Sequence, residues 1–311
     1  LLRLFLFTLF LIEFAYYNNA GSQTFDFVSE IINKQQEIVI KEIKPLSITI
    51  EMYEFDLVSN EFDSSGMITT LVFFNDQGNL VREEYIDYDG SNLSINEYKY
   101  YPSQLIKSRT ISDFQSQTIT YYSYEYNLHD EQIKYFYFQF APDDNFYYIA
   151  NKVYNSTGQL SKETFVRDSN IIAERRLFYD VTGRLIQEYV INSESTILRK
   201  TVYDYSDDSS LVREKFYSDD IISHINEKYY TGSQLYKLIQ SDSENKTVAV
   251  YEFTFDSDRL TSVKELRYKG NEDVVKDYIY EYTSSGLIEK EKFYINGDPV
   301  YYQVYRYRFM N

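Results

Sequence analysis

The 311-residue chain has no cysteine, no tryptophan, 4 prolines, 10 glycines and 2 histidines. Without cysteine there is no disulfide framework, no thiol nucleophile and no sulfur for lipid attachment, a composition compatible with the periplasm or the outside of a cell. His129 and His224 stand alone, so zinc ligands at the usual close spacing are missing. Scarce proline and glycine leave no Pro/Gly/Ser-rich linker, and nothing in the composition divides the chain. Basic residues are outnumbered 31 to 48, giving a formal net charge of −17. Nucleic-acid binding rests on Lys and Arg displacing counterions from phosphate, so nucleic acid is excluded as the main partner. An acidic surface also discourages edge-to-edge pairing in a strand-rich protein.

What is abundant is tyrosine, 35 residues, with 22 phenylalanines. Aromatic residues favour a pleated, half-buried surface. The stretch FYDVTGRLIQEYV, from Phe178 to Val190, shows how they are used. Asp180 is suited to open a type I turn and Gly183 to close it in a left-handed conformation, a common hairpin connection. Alternation on both sides reads as strand, with Arg175, Leu177 and Tyr179 on one face. It also puts Leu185, Gln187, Tyr189 and Ile191 together on one face of the outgoing strand.

The unit recurs. An aromatic followed five to seven residues later by an aliphatic occurs at Phe62/Ile68, Phe74/Leu80, Tyr88/Leu93, Tyr100/Leu105, Tyr126/Ile133, Tyr154/Leu160, Tyr179/Leu185, Tyr205/Leu211, Tyr230/Leu235, Phe255/Leu260 and Tyr282/Ile288. From Ile133 onward the aliphatics fall about 25 residues apart, a period that marks a repeat architecture. Between them lie looser polar turns such as NSES and SDSENK. The motif YDVTGRL, Tyr179 to Leu185, resembles the YD repeat of RHS-type bacterial proteins, and FNDQGNL and YNSTGQL are close relatives. The final segment EKFYINGDPVYYQVY is also similar to MORN-type hairpin repeats. The resemblance implies a β-hairpin array in an exported bacterial protein. Large RHS toxins form hollow shells around a C-terminal toxin domain, and no such domain is evident here.

The expected fold is all-β, an antiparallel meander of tandem hairpins making a long twisted or curved sheet, or one curled into an open shell. About twenty strands are too many for a flat sheet, since open twisted sheets rarely exceed ~10 strands without curling or splitting. Three segments are expected. Residues 1–20 fit a secretory signal, Arg3 preceding an apolar run too short to span a bilayer, with cleavage after Ala20 despite Asn18. Residues 21–47 form a lead-in or cap, in which SEIINKQQEI reads as a short helix capped by Ser29 and IVIKEI as the start of strand. Residues 48–311 form the single repeat domain, closed off by YYQVYRYRFMN as a final edge strand.

The inventory for chemistry is thin. No nucleophile elbow or phosphate-cradling glycine loop is present. The 48 carboxylates read as the solvated face of strands and turns, although a glycosidase pair is formally available. Asp207/Asp208, Asp219/Asp220 and Asp256/Asp258 lack the spacing of a calcium loop. No catalytic residue, cofactor or metal is assigned. The candidate ligand surface is aromatic: Tyr122, Tyr124 and Tyr126; Tyr251, Phe253 and Phe255; Tyr278, Tyr280 and Tyr282, three sets at alternating positions of single strands. These form either a core face or an exposed platform for a sugar or polymer, and the absence of tryptophan counts against the sugar. The functional expectation is a non-enzymatic exported protein, a scaffold or binding surface in the cell envelope or outside it, its partner a protein or polysaccharide. The alternatives are a carbohydrate-active protein and an accessory shell of a secreted toxin. Any catalytic site would be sought first in the longest interruption of the repeat, Phe138 to Lys152.

Overall fold

A computed structural model describes residues 22–142, 145–218, 220–269 and 272–309. The expected signal segment, residues 1–20, lies outside the described residues. The chain opens with one helix, α1 (Ser22–Ile43), and continues in strands: β1 (Ser47–Asp56), the two-residue β2 (Glu61–Phe62), β3 (Met67–Phe74), β4 (Leu80–Ile86), β5 (Asn92–Tyr100), β6 (Ile106–Asp113) and β7 (Thr118–Tyr126). There follow β8 (Gln132–Phe140), β9 (Asn145–Tyr154), β10 (Leu160–Arg167), β11 (Asn170–Tyr179), β12 (Leu185–Asn192), β13 (Ile197–Tyr205) and β14 (Leu211–Ser218). The last are β15 (Ile221–Thr231), β16 (Gln234–Asp242), β17 (Thr247–Asp256), β18 (Arg259–Lys269), β19 (Glu272–Tyr282), β20 (Ile288–Ile295) and β21 (Asp298–Arg308).

From β3 to β21 every strand pairs antiparallel with its sequence neighbours, so the meander is as expected. β1 then pairs with β3 on one side and β21 on the other. The β1–β21 register runs from Ser47 opposite Arg308 to Glu54 opposite Tyr301. The sheet therefore closes on itself as a barrel of 20 strands, with β2 a short addition to the end of β1. β21 is a closing strand and not the edge that the sequence suggested. Closure removes both edges, with their rows of unpaired N–H and C=O groups.

The odd-to-even turns share one rim of the barrel. In the YDVTGRL unit the Asp180 N–H donates to Arg184 O at 2.9 Å and Gly183 N–H to Asp180 O at 3.0 Å, with Gly183 at φ 85°. Asp180 Oδ1 accepts from the Thr182 and Arg184 amides, both at 2.9 Å. The Thr182 hydroxyl and these amides hold its carboxyl well below the ordinary carboxylate range. Asn75, Asn127 and Asn155 do the same in their turns, so the Asp of the motif is used for its oxygen and is replaceable by Asn. A register shift between Phe178 and Tyr179 puts Leu185 opposite Tyr179 and Gln187 opposite Phe178. Leu185 therefore leaves the face of Gln187 and Tyr189, against the simple alternation read from sequence, because the bulge adds one residue.

The repeat aromatic has a specific partner. Tyr179 Oη donates to Leu160 O at 2.8 Å, and Tyr205 Oη to Leu185 O at 2.8 Å. Tyr100, Tyr126, Tyr282 and Tyr307 reach Leu80, Ile106, Leu260 and Ile288 O at 2.6, 2.9, 2.5 and 2.7 Å, and Tyr154 reaches Gln132 O at 2.8 Å. In these seven cases a tyrosine of one repeat is tied to the backbone at or beside the anchor aliphatic of the repeat before it. Side chains also link successive turns: Gln159 Nε2 donates to Gly183 O at 2.7 Å, and Arg184 lies over the Tyr205 ring at 4.8 Å.

α1 lies on this same rim. Gln35 donates to Asp258 O at 2.6 Å and accepts from Leu260 N at 3.3 Å. Gln36, buried, donates to Gly286 O at 3.2 Å and accepts from Ile288 N at 3.0 Å. Each amide side chain thus satisfies both a donor and an acceptor of a hairpin turn. Gly78, at φ 81°, packs so closely that an added Cβ would sit 3.2 Å from the Lys41 Cα. The helix is longer than expected: Ser29 lies inside it, and IVIKEI is helical although β-branched residues favour strand. Tertiary docking overrides propensity here, and the buried Pro45 ends the helix, with Lys44 at φ 53°.

Replacing Tyr179 or Tyr205 by Phe removes the hydroxyl while keeping the ring. Each change is expected to lower stability by about 1 kcal/mol in chemical denaturation; no loss would show that the hydroxyl is not a tie.

Candidate functional site

Cross-strand partners share a face, and following them around the ring separates an inner wall from an outer one. The residues most removed from solvent lie on the inner wall: Tyr137, Ala150, Phe165, Ala173, Tyr251, Phe253, Leu260 and Val263. All nine candidate aromatic residues belong to it. Tyr251, Phe253 and Tyr280 are buried in one cluster, with Phe255, Tyr278 and Tyr282 packed against them. Tyr122 packs against a second cluster on the other side, and Tyr124 stacks on it at 6.2 Å. Tyr126 is placed at the turn rim by its hydroxyl bond to Ile106 O. The structure therefore brings six of the nine together and holds the β7 trio apart from them.

Rows of rings cross the strands as the stacked repeats predict. Tyr122, Tyr137, Tyr148 and Phe165 run across β7 to β10 with successive centroids 5.1, 4.8 and 5.6 Å apart. Tyr278, Phe293 and Tyr301 run across β19 to β21 at 4.8 and 5.1 Å. Such pairs contribute about 0.5–1.5 kcal/mol beyond area burial. The expected interruption from Phe138 to Lys152 is the β8–β9 hairpin; it supplies Tyr148, Ala150 and Lys152 to the wall, and residues 143–144 lie outside the described residues.

Between the rings runs a column of carboxylates that the sequence reading had assigned to the solvated face. Glu163, Glu188, Glu214, Glu265 and Glu291 come from β10, β12, β14, β18 and β20, once per repeat, with Gln240 in the β16 place. Cations come from neighbouring strands. Glu163 lies 4.0 Å from Lys152 and 3.9 Å from Arg175; Glu188 lies 2.6 Å from Arg175 and 3.4 Å from Arg199. Lys228 meets Glu214 at 2.6 Å, and Arg267 and Lys276 meet Glu265 at 2.7 and 3.4 Å. Burial raises Glu163 and lowers Lys152 despite their attraction, so the long pair between them is weak. For Arg175, burial, which lowers it, is outweighed by Glu188, and its affinity for the proton rises. The sequence signal for this column was present: a glutamate recurring at the repeat period, most often three residues after the anchor aliphatic.

The two histidines do not converge on any acid–base pair. His129 lies in a turn, its amide donating to Asn127 Oδ1. His224 stacks on Phe216 at 4.1 Å on the inner wall, where burial lowers its pKa. Asp208 accepts from Ser206 and Ser210, holding a turn. Among the described residues no three His, Cys, Asp or Glu side chains are grouped to hold a metal ion.

The outer wall is charged. Arg82 pairs with Glu97, Lys134 with Glu125, Lys162 with Glu174, Arg213 with Glu227, Lys292 with Glu281 and Arg306 with Glu51, along the middle of their strands. A membrane-spanning barrel carries an outward apolar band about 25 Å tall, and these pairs interrupt any such band.

The fold and site define a closed barrel of β-hairpin repeats with an aromatic and ionic inner wall. By sequence the chain matches no protein family and no curated protein. By structure it is similar to a porin-like protein from Bacteroides uniformis, at 10% identity and a TM-score of 0.36, covering 86% of this chain and 97% of that one. It is also similar to TcdB2-TccC3, at 12% identity and a TM-score of 0.31, over 81% of this chain and 18% of that much longer one. These likenesses are too distant to carry a function to this chain.

Arg175 stands between two inward glutamates. Arg175→Ala is expected to cost about 3 kcal/mol, because it strands buried charge. Arg176→Ala on the outer wall should cost under about 1 kcal/mol. Equal losses in thermal or chemical unfolding would contradict the inner placement of the column.

Proposed function

We propose that this is an exported, non-enzymatic repeat barrel of the cell envelope or the extracellular space, and that its working surface is the inner wall. The observation that supports this is the division of the two faces. All nine candidate aromatic residues point inward, while the outer wall carries paired charges among exposed apolar side chains such as Tyr121 and Phe178. The resemblance of its turns to YD repeats supports export. Neutral tyrosine rings beside fixed, paired charges suit a polyhydroxylated chain, which stacks on rings and hydrogen-bonds to charged groups without bringing charge of its own. A soluble polysaccharide is therefore the partner class we favour. Closure of the ring also supports a second reading, a container for a polypeptide, in the manner of the toxin shells that the YD resemblance brings with it.

The test uses two substitutions on one strand. Tyr122 faces inward and Tyr121 outward, where it is exposed. In native electrophoresis through gels containing a dissolved polysaccharide, the full chain should be retarded by at least one polymer of a panel. Tyr122→Ala should lose that retardation and Tyr121→Ala should keep it. Loss in Tyr121→Ala alone, or no retardation by any polymer, would overturn the glycan reading.

A further inference from the structure

The glutamates of the inner column are paired with cations except at one point. Glu163, Glu188, Glu214 and Glu265 each have a Lys or Arg from their own or an adjacent strand within 4.0 Å. Glu291 has none among the described residues. Its direct cross-strand partners are Tyr280 on β19 and Gln303 on β21, where Glu163 has Lys152 and Arg175 and Glu265 has Lys276. The neighbouring lysines of β20 face outward and are engaged, Lys290 over the Tyr302 ring at 3.6 Å and Lys292 with Glu281. Two other inward glutamates lack an ion pair among the described residues: Glu83 accepts from Asn96 at 3.0 Å and Tyr98 at 2.9 Å, and Glu54, exposed and opposite Tyr301, accepts from the Tyr88 hydroxyl. Glu291 receives one hydrogen bond, from Tyr305 Oη at 3.2 Å, and that hydroxyl also lies 3.4 Å from Gln303 Oε1.

Around this carboxylate stand Tyr278, Tyr280, Tyr301 and Tyr305, each close enough to feel its charge. Burial raises the pKa of each; Glu291 comes next for Tyr280, Tyr301 and Tyr305, and for Tyr278, raised to about 12, Glu265 precedes it, so the hydroxyls are neutral at physiological pH. Burial also raises Glu291 itself, the direction a missing cation would give. The set carries at most one negative charge and no second metal-ligating carboxylate. One carboxylate among neutral tyrosine rings is the arrangement that receives an organic cation, through charge and through the ring faces.

We propose that Glu291 and its four tyrosines form a binding subsite for an organic ammonium ion on the inner wall. It rests on the reading of that wall as the working surface, and it adds the chemistry of one point on it. The cation takes the place that Lys276 holds beside Glu265.

The test is calorimetric titration of the full chain with n-butylammonium and tetramethylammonium chlorides, against sodium chloride at equal ionic strength. The native chain should bind at least one of the two ammonium ions, and Glu291→Gln should bind about tenfold more weakly or not at all. Gln303→Lys supplies a tethered ammonium opposite Glu291; it should abolish binding and raise the melting temperature. This variant keeps the test decisive should Glu291→Gln fold poorly. Equal binding by the native chain and by either variant, or binding of neither ammonium ion by the native chain, overturns the proposal. Because Tyr122 lies on the β7 side of the wall, absence of ammonium binding by the native chain together with polysaccharide retardation would remove this subsite and leave the inner-wall reading standing.

Discussion

A single hydrogen bond, repeated, organises this molecule: the hydroxyls of Tyr307 and of most anchor tyrosines reach a backbone carbonyl at or beside the anchor aliphatic of the preceding repeat. Seven such bonds occur among the described residues. Each is worth about 1 kcal/mol net, small against the cost of ordering a repeat. Their effect is geometric. They fix the spacing between turns along one rim, and a sheet held at regular spacing on one rim with bulges beside its turns curves in one sense. With 20 strands that curvature completes a ring. The helix α1 uses the same currency at the same rim, Gln35 and Gln36 each bonding both a carbonyl and an amide of a hairpin turn.

Closure gives the two faces different chemistry. On the convex wall, Lys, Arg, Glu and Asp pair across strands in water, where each pair contributes little to stability and much to solubility. On the concave wall, side chains converge, water is displaced by neighbouring rings, and the same residue types become costly unless paired. The inner glutamate column follows that rule through β18, alternating with Lys and Arg from adjacent strands, and departs from it at Glu291. A departure from a repeat is informative because the other copies show what the position normally contains.

The strands, the turns and the meander were legible because each rests on local chemistry: period-two alternation, Asp or Asn before Gly, and an aromatic at a fixed offset. The aromatic candidates were legible as faces of single strands, and alternation alone put each trio together. The assignment of that face to the inside required the β1–β21 pairing, which joins residues more than 240 positions apart and leaves no local trace. Three readings failed for physical reasons. β21 looked like an edge because its partner lies at the other end of the chain. IVIKEI looked like strand because what docks α1, Gln35 and Gln36 on the β17–β18 and β19–β20 turns and Lys41 against Gly78 of the β3–β4 turn, leaves no trace in the segment itself. Leu185 changed face because a bulge follows Phe178. The glutamate column was missed although its period was visible, since carboxylates in an acidic chain read first as solvated.

The central claim is that the repeat array closes on itself, and the absence of cysteine makes it directly testable. Thr49 and Arg306 face each other across β1 and β21. A chain carrying Thr49→Cys and Arg306→Cys should form an intramolecular disulfide under mild oxidation while folded and monomeric, because directly opposed residues in an antiparallel pair lie within bridging reach. Thiols that remain free in the folded monomer, or that link only between molecules, would mean that the ends do not meet and that the array is open.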